Sequence, residues 1–170
     1  MGGYGSGRKI GKKTPVEDCR VLAVGWFQKK KELQADALTQ GSLTWTNTAT
    51  GEKTSSIGYE ADTLDAAPWL RLHYTRTRTG EAVDYRVRLT TSPLPWGGVR
   101  WGFLCPDCGR ACRKLYLPNG AGRFACRLCY RLTYTSTQEA HKYDGLFRRL
   151  AADIGSTPAA VKAALSERWA

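Results

Sequence analysis

A chain of 170 residues with 42% hydrophobic content can bury one moderate core, or a small core with a metal-stapled module. The first thirteen residues lack the apolar run of a secretory signal and no later stretch approaches a membrane span, so a cytoplasmic protein with no membrane partner is expected. The formal charge of +11 points to polyanionic partners such as nucleic acid.

That charge is unevenly spread. Arg8, Lys9, Lys12 and Lys13 give residues 1–13 a charge of +4, whereas residues 14–99 balance ten basic against ten acidic side chains. Residues 100–134 carry Arg100, Arg110, Arg113, Lys114, Arg123, Arg127 and Arg131 against Asp107, a charge of +6. The excess therefore sits in an N-terminal arm and in the cysteine-rich segment.

In chain order, the glycine-rich start reads as a flexible basic arm over 1–13, with a solubilising tail as the alternative. Thr14-Pro-Val-Glu17 matches a capping box with proline at the first helical position. Val16, Cys19, Leu22, Ala23 and Phe27 recur at helical spacing, which predicts a helix from about 15 into the twenties, ending at Lys29-Lys-Lys31. Cys19 is expected in the core.

From Ser42 the period becomes two. Leu43 and Trp45, Ile57 and Tyr59, Leu70 to Tyr74, and Val83 to Leu89 predict four strands of an antiparallel meander. The opposite faces carry Arg71, His73, Thr75, Asp84, Arg86 and Arg88, which read as an ordinary wet sheet face, although a basic one. Glu60, Asp62 and Asp65 form an acidic cluster read as an exposed loop rather than a magnesium site.

Cys105-Pro-Asp-Cys108, then Cys126-Arg-Leu-Cys129 after seventeen residues, has the spacing of a zinc ribbon. Two residues between paired cysteines let a tight turn aim both thiolates at one ion, and Gly109 supplies permissive backbone after the first pair. Arg113 to Leu117 and Arg123 to Ala125 flank Pro118-Asn-Gly-Ala-Gly122, which predicts a hairpin carrying the metal at its base. Four thiolates fill a tetrahedral Zn2+ and leave no open position, so the ion is expected to be structural. Cys112 is a candidate replacement ligand, but the regular pairs favour an unligated thiol. The ion and its thiolates contribute about −2, leaving the segment net basic around Tyr116, Phe124 and Tyr134, which are expected to be exposed aromatics suited to a nucleic-acid strand.

Beyond the ribbon, Ser136-Thr-Gln-Glu139 matches a second capping box. Tyr143, Leu146, Phe147, Leu150, Ala151 and Ile154 form an apolar stripe, Gly155 is a stop, and Thr157-Pro158 opens a last helix. A helical hairpin over 137–169 is predicted. The whole is an α+β chain: arm over 1–13, N-terminal helix plus antiparallel β-meander over 14–99, four-cysteine zinc-ribbon hairpin over 100–134, and C-terminal helices over 135–170.

The run Gly97-Gly-Val-Arg-Trp-Gly-Phe-Leu-Cys-Pro-Asp-Cys-Gly-Arg110, with Lys114 to Pro118, Phe124 to Arg127 and Leu132-Thr-Tyr134, resembles a group of uncharacterised bacterial zinc-ribbon proteins. The opening Gly-Gly-Tyr-Gly-Ser-Gly-Arg is similar to theirs too. The resemblance implies a bacterial, phage or mobile-element setting and no known activity. Gly102 stands where the group has a second aromatic after Trp101, so Trp96 and Trp101 are expected in the core rather than in a binding platform.

His73 and His141 lie apart, without an obvious carboxylate constellation, which argues against an enzyme and a small-molecule substrate. The expected function is a nucleic-acid-binding regulator, of DNA or RNA, contacting phosphates through Arg8, Lys9, Lys12, Lys13, Arg110, Arg113, Lys114, Arg123, Arg127 and Arg131. The alternative is a protein-interaction factor or inhibitor docking on a host nucleic-acid-processing complex.

Overall fold

Period-two burial governs most of the chain in the computed structural model, which describes residues 13–47, 50–139 and 143–167. The chain divides between Leu132 and Thr133 into two units. In the first, strand β1 (Arg20–Ala23) and helix α1 (Val24–Lys29) precede β2 (Leu38–Thr46), β3 (Lys53–Asp62), β4 (Trp69–Thr75) and β5 (Ala82–Pro93). β6 (Val99–Leu104), β7 (Ala111–Cys112) and β8 (Lys114–Leu117) complete it. Strands β2 to β7 form one antiparallel sheet in sequential order, so the four-strand meander read from the sequence is present and continues through two further strands.

Alternation fixes the register, because a slip of one residue would turn every apolar side chain to water. Tyr59 lies opposite Gly41 on β2 and Leu72 on β4, Leu70 opposite Val87, and Leu89 opposite Phe103. Their side chains join Leu43, Ile57 and Trp101 on the buried face. Gly41 is required there, since a Cβ at this position would lie 2.7 Å from the Tyr59 hydroxyl. On the outer face Arg71 bridges Glu60 at 3.2 Å and Asp84 at 2.5 Å, and Arg86 stacks 4.1 Å from the Trp69 ring. Its two-point hydrogen bonding to Arg71 holds the Asp84 carboxyl below its ordinary value. This is the wet face expected from the sequence.

Helix α1 presses Phe27 onto the sheet, edge-on to Tyr59 at 5.0 Å and to Phe103 at 6.2 Å. The helix expected from about 15 is thereby corrected. A 3-10 turn at Val16–Asp18 and strand β1 occupy its first half, and only Val24–Lys29 is α-helical. The cause is tertiary: β1 pairs antiparallel with β8, setting Leu22 opposite Leu115, both fully buried, so partner strand and burial outweigh local helical spacing. No side-chain capping bond forms at Pro15, the N-cap of the 3-10 turn. Cys19 is buried as expected, packed with Val16, Tyr116 and Leu132.

The hairpin expected across Pro118–Gly122 is reduced to one bridge. Tyr116 and Ala125 exchange backbone bonds of 2.8 and 3.1 Å, while β8 gives its other edge to β1. Tyr116 and Phe124, expected to be exposed, are core residues at 6% and 0% exposure. Phe124 is stacked on Trp45 at 6.1 Å and lies edge-on to Tyr74 at 6.4 Å. Trp101 is buried as expected, but Trp96 is 98% exposed, because it sits in the turn between β5 and β6, beyond the reach of the sheet's inner face.

In the second unit, helices α2 (Thr135–Glu139), α3 (Asp144–Asp153) and α4 (Pro158–Glu167) follow. Ser136 lies inside α2 rather than at its cap. Thr157 caps α4, its hydroxyl accepting from the Ala160 amide at 3.2 Å, and Gly155 ends α3 with a φ of 62°. Ala151 and Val161 are buried, while Tyr143, Leu146, Leu150 and Ile154 of the expected stripe remain exposed. No helix among the described residues is long and apolar enough to cross a membrane.

The Phe124→Ala substitution leaves a void among Trp45, Tyr74 and the sheet and is expected to destabilise the first unit by about 3–5 kcal/mol. Trp96→Ala is expected to change stability by no more than about 0.5 kcal/mol. Urea unfolding of the two variants checks this, and a larger loss at Trp96 than at Phe124 would contradict the packing described.

Candidate metal centre

Strand β6 delivers Cys105 directly after Leu104, so the first ligand is fixed by the sheet. The chain then turns tightly. The Gly109 amide donates to the Cys105 carbonyl at 2.8 Å and the Cys105 amide to the Arg110 carbonyl at 2.9 Å, with Gly109 at φ 67°. The second pair follows a related path. The Tyr130 amide donates to the Cys126 carbonyl at 3.3 Å and the Leu132 amide to the Arg127 carbonyl at 2.9 Å. Here the left-handed residue is Arg131, at φ 50°, so Tyr130 escapes the conformation that Gly109 adopts in the first turn.

The four sulfurs converge. Sγ of Cys105 lies 3.8 Å from that of Cys129, Cys108 lies 3.7 Å from Cys126, and Cys126 lies 3.5 Å from Cys129, the whole set falling within 4.8 Å. A tetrahedral ion with metal–sulfur bonds of about 2.3 Å separates its ligands by about 3.8 Å, so the donor set fits a thiophilic ion such as zinc. Cys105 and Cys126 are buried and Cys108 is exposed, which places the centre at the edge of the core.

Backbone dipoles favour thiolate at Cys126. Burial opposes ionisation of Cys126, but the amides of Cys129 and Leu128, together with its side-chain hydrogen bonds to Cys129 and Cys108, hold it at about 7. Cys129 moves up, through burial first and then through the sulfurs around it. The Cys126 amide also donates to Sγ of Cys105 at 3.2 Å, lacing the second turn to the first.

Cys112 is not a member of the set. It faces the Phe103 carbonyl at 3.6 Å, and burial, aided by the negative sulfurs of the cluster, pushes its thiol up to about 12. Among the described residues no other group of metal-ligating side chains forms. Of the acidic cluster, Asp62 and Asp65 accept from the Leu64 and Ala67 amides at 2.9 and 3.2 Å, and Glu60 pairs with Arg71.

Three tyrosines that sequence reasoning did not single out for this role hold the segment between the cysteine pairs. The Tyr85 hydroxyl accepts from the Phe124 amide at 2.8 Å, Tyr74 donates to the Gly122 carbonyl at 2.8 Å, and Tyr130 donates to the Arg123 carbonyl. Inward-facing tyrosines at alternate positions of β4 and β5 were the available signal: a buried phenol must find a partner. Burial pushes the Tyr85 phenol well above its ordinary value, so it stays protonated.

The basic residues differ in their surroundings. Arg110, Arg113, Lys114 and Arg131 are exposed and form no ion pair among the described residues, while Arg123 is exposed but bridges Asp107 at 2.6 Å. Arg127 is half-buried and donates to the Leu132 carbonyl at 3.3 Å. Lys13 is exposed, and Arg8, Lys9 and Lys12 lie outside the described residues. Tyr134 is exposed, as expected.

No protein-family model, curated protein or solved structure gives a significant match to this chain.

Cobalt(II) titration of metal-free protein is expected to saturate at one equivalent with thiolate charge-transfer and tetrahedral d–d bands. Cys112→Ala should leave the spectrum unchanged and Cys126→Ala should remove its tetrathiolate character. A spectrum that depends on Cys112 would contradict the assignment of ligands.

Proposed function

We propose that Cys105, Cys108, Cys126 and Cys129 hold a structural Zn2+ in a ribbon-type module, and that the protein is a non-enzymatic nucleic-acid-binding regulator. The observation that carries the second part is the set of exposed cations without acid partners among the described residues, Arg110, Arg113, Lys114 and Arg131, grouped along the cysteine-bearing segment. Such a surface releases counterions when it meets phosphates, and it confers affinity without base recognition. Arg123 and Arg127 are secondary, since each already spends donors within the protein. The basic arm with Arg8, Lys9, Lys12 and Lys13 extends the same charge. The non-enzymatic reading rests on the donor set, because four thiolates complete a tetrahedral ion and leave no position for substrate or water. The resemblance to bacterial zinc-ribbon proteins supports a phage or mobile-element setting.

One observation favours a second reading, an inhibitor or interaction factor on a host complex. Trp96 projects from the β5–β6 turn almost wholly exposed, and an isolated tryptophan is a frequent anchor of protein interfaces.

Purification with and without nuclease, followed by a salt titration on DNA and RNA, separates the two. The regulator reading predicts binding that weakens steeply with salt. Arg113→Glu with Lys114→Glu should weaken it by about tenfold or more at low salt. A nuclease-resistant stoichiometric protein complex lost in Trp96→Ala would transfer the assignment to the second reading.

A further inference from the structure

A cleft of ≈190 Å³ opens where β1, β3, the β4–β5 turn and the loop after β8 meet, within the first unit, and none of the four clustered cysteines lines it. Its lining includes Arg20, Arg76, Arg78, Ser55 and Asn119, and contains no carboxylate. Ile57 and Tyr74 contribute apolar surface.

The arginines are placed in different ways. Arg20 leaves β1 with its Nε donating to the Ser55 hydroxyl at 2.6 Å, which fixes the guanidinium at the cleft while its terminal nitrogens form no ion pair among the described residues. Arg76 is neutralised by Glu81 at 2.7 Å and donates to the Gly120 carbonyl at 3.0 Å, so it builds the wall. Arg78 stands exposed, and its side chain makes neither ion pair nor hydrogen bond among the described residues. Two uncompensated guanidinium groups thus converge on one concavity, with hydroxyl and amide side chains between them.

We infer that this cleft is a phosphate-binding site, and that the group it takes is a backbone phosphate of a nucleic-acid strand. Guanidinium forks match the oxygens of phosphate, and fixing Arg20 on Ser55 lowers the entropy lost on binding. Size decides the source of the phosphate. Sites for whole small molecules run to about 300–1,000 Å³, so this cleft takes a charged group while the rest of its carrier lies outside. A strand meets that condition. The inference rests on the nucleic-acid reading for its carrier, and adds a contact point that the charge of residues 100–134 did not indicate.

The test measures anisotropy of a fluorescein-labelled oligothymidylate twelve nucleotides long at low salt, with pyrophosphate binding followed by calorimetry. Arg78→Glu, which removes no internal bond, and Arg20→Gln are each expected to weaken oligonucleotide binding by about tenfold and to reduce the salt slope by about one. Oligonucleotide binding that is intact in the wild type and unchanged in both variants overturns the cleft and leaves the nucleic-acid reading standing. If the wild type ignores the oligonucleotide but binds pyrophosphate, and Arg78→Glu abolishes that, the cleft holds as a phosphate site while its assignment to a strand is overturned. Binding of neither probe overturns the inference altogether.

Discussion

The bond from the Cys126 amide to the Cys105 sulfur joins the second cysteine turn to the first, beside the ion pair of Arg123 with Asp107. Cys105 continues strand β6, and Cys126 lies two residues after Phe124, which is wedged between Trp45 and Tyr74. Ligand and core residues therefore alternate along the same few positions. Cys105 and Cys126 belong to the same buried cluster as Leu22, Phe27, Phe103 and Leu115. Four sulfurs within 4.8 Å, two of them buried, are costly as ionised groups without a cation, so an ion bound there would also complete this end of the core.

That coupling accounts for features that look unrelated in the sequence. Strand β8 lies between the two cysteine turns, and its pairing with β1 draws the N-terminal segment into a strand that helical spacing alone does not predict. The bridge from Tyr116 to Ala125 and the phenols of Tyr74 and Tyr85 then pin the backbone of an irregular, part-exposed loop where it returns to the core at Phe124. With Leu115, Tyr116, Phe124 and Ala125 turned inward, the segment leaves Arg110, Arg113, Lys114 and Arg131 facing solvent.

How much of this was legible depended on the range of the signal. The C-x-x-C pairs and the alternating runs from Leu43 to Leu89 are local patterns, and the structure realises both. Val16, Leu22 and Phe27 satisfy helical spacing and also a 3-10 turn, strand and short helix in succession; only β8, some ninety residues on, decides between them. Phe124 and Tyr116 read as exposed because charge surrounds them in sequence, whereas Phe124 is buried against Trp45 of β2 and Tyr74 of β4, and Tyr116 against Val16, Cys19 and Leu132. Trp96 is expected in the core because Gly102 removes the aromatic pair of a binding platform, and it is placed outside by its position in a turn.

The central claim, that an ion at the four cysteines holds residues 105–132 and β1 onto the sheet, is tested most directly by hydrogen–deuterium exchange before and after chelation. The account predicts that chelation removes amide protection from both cysteine turns, β8 and β1, while β3, β4 and most of β5 stay protected. Unchanged protection at 105–132 in metal-free protein would contradict it.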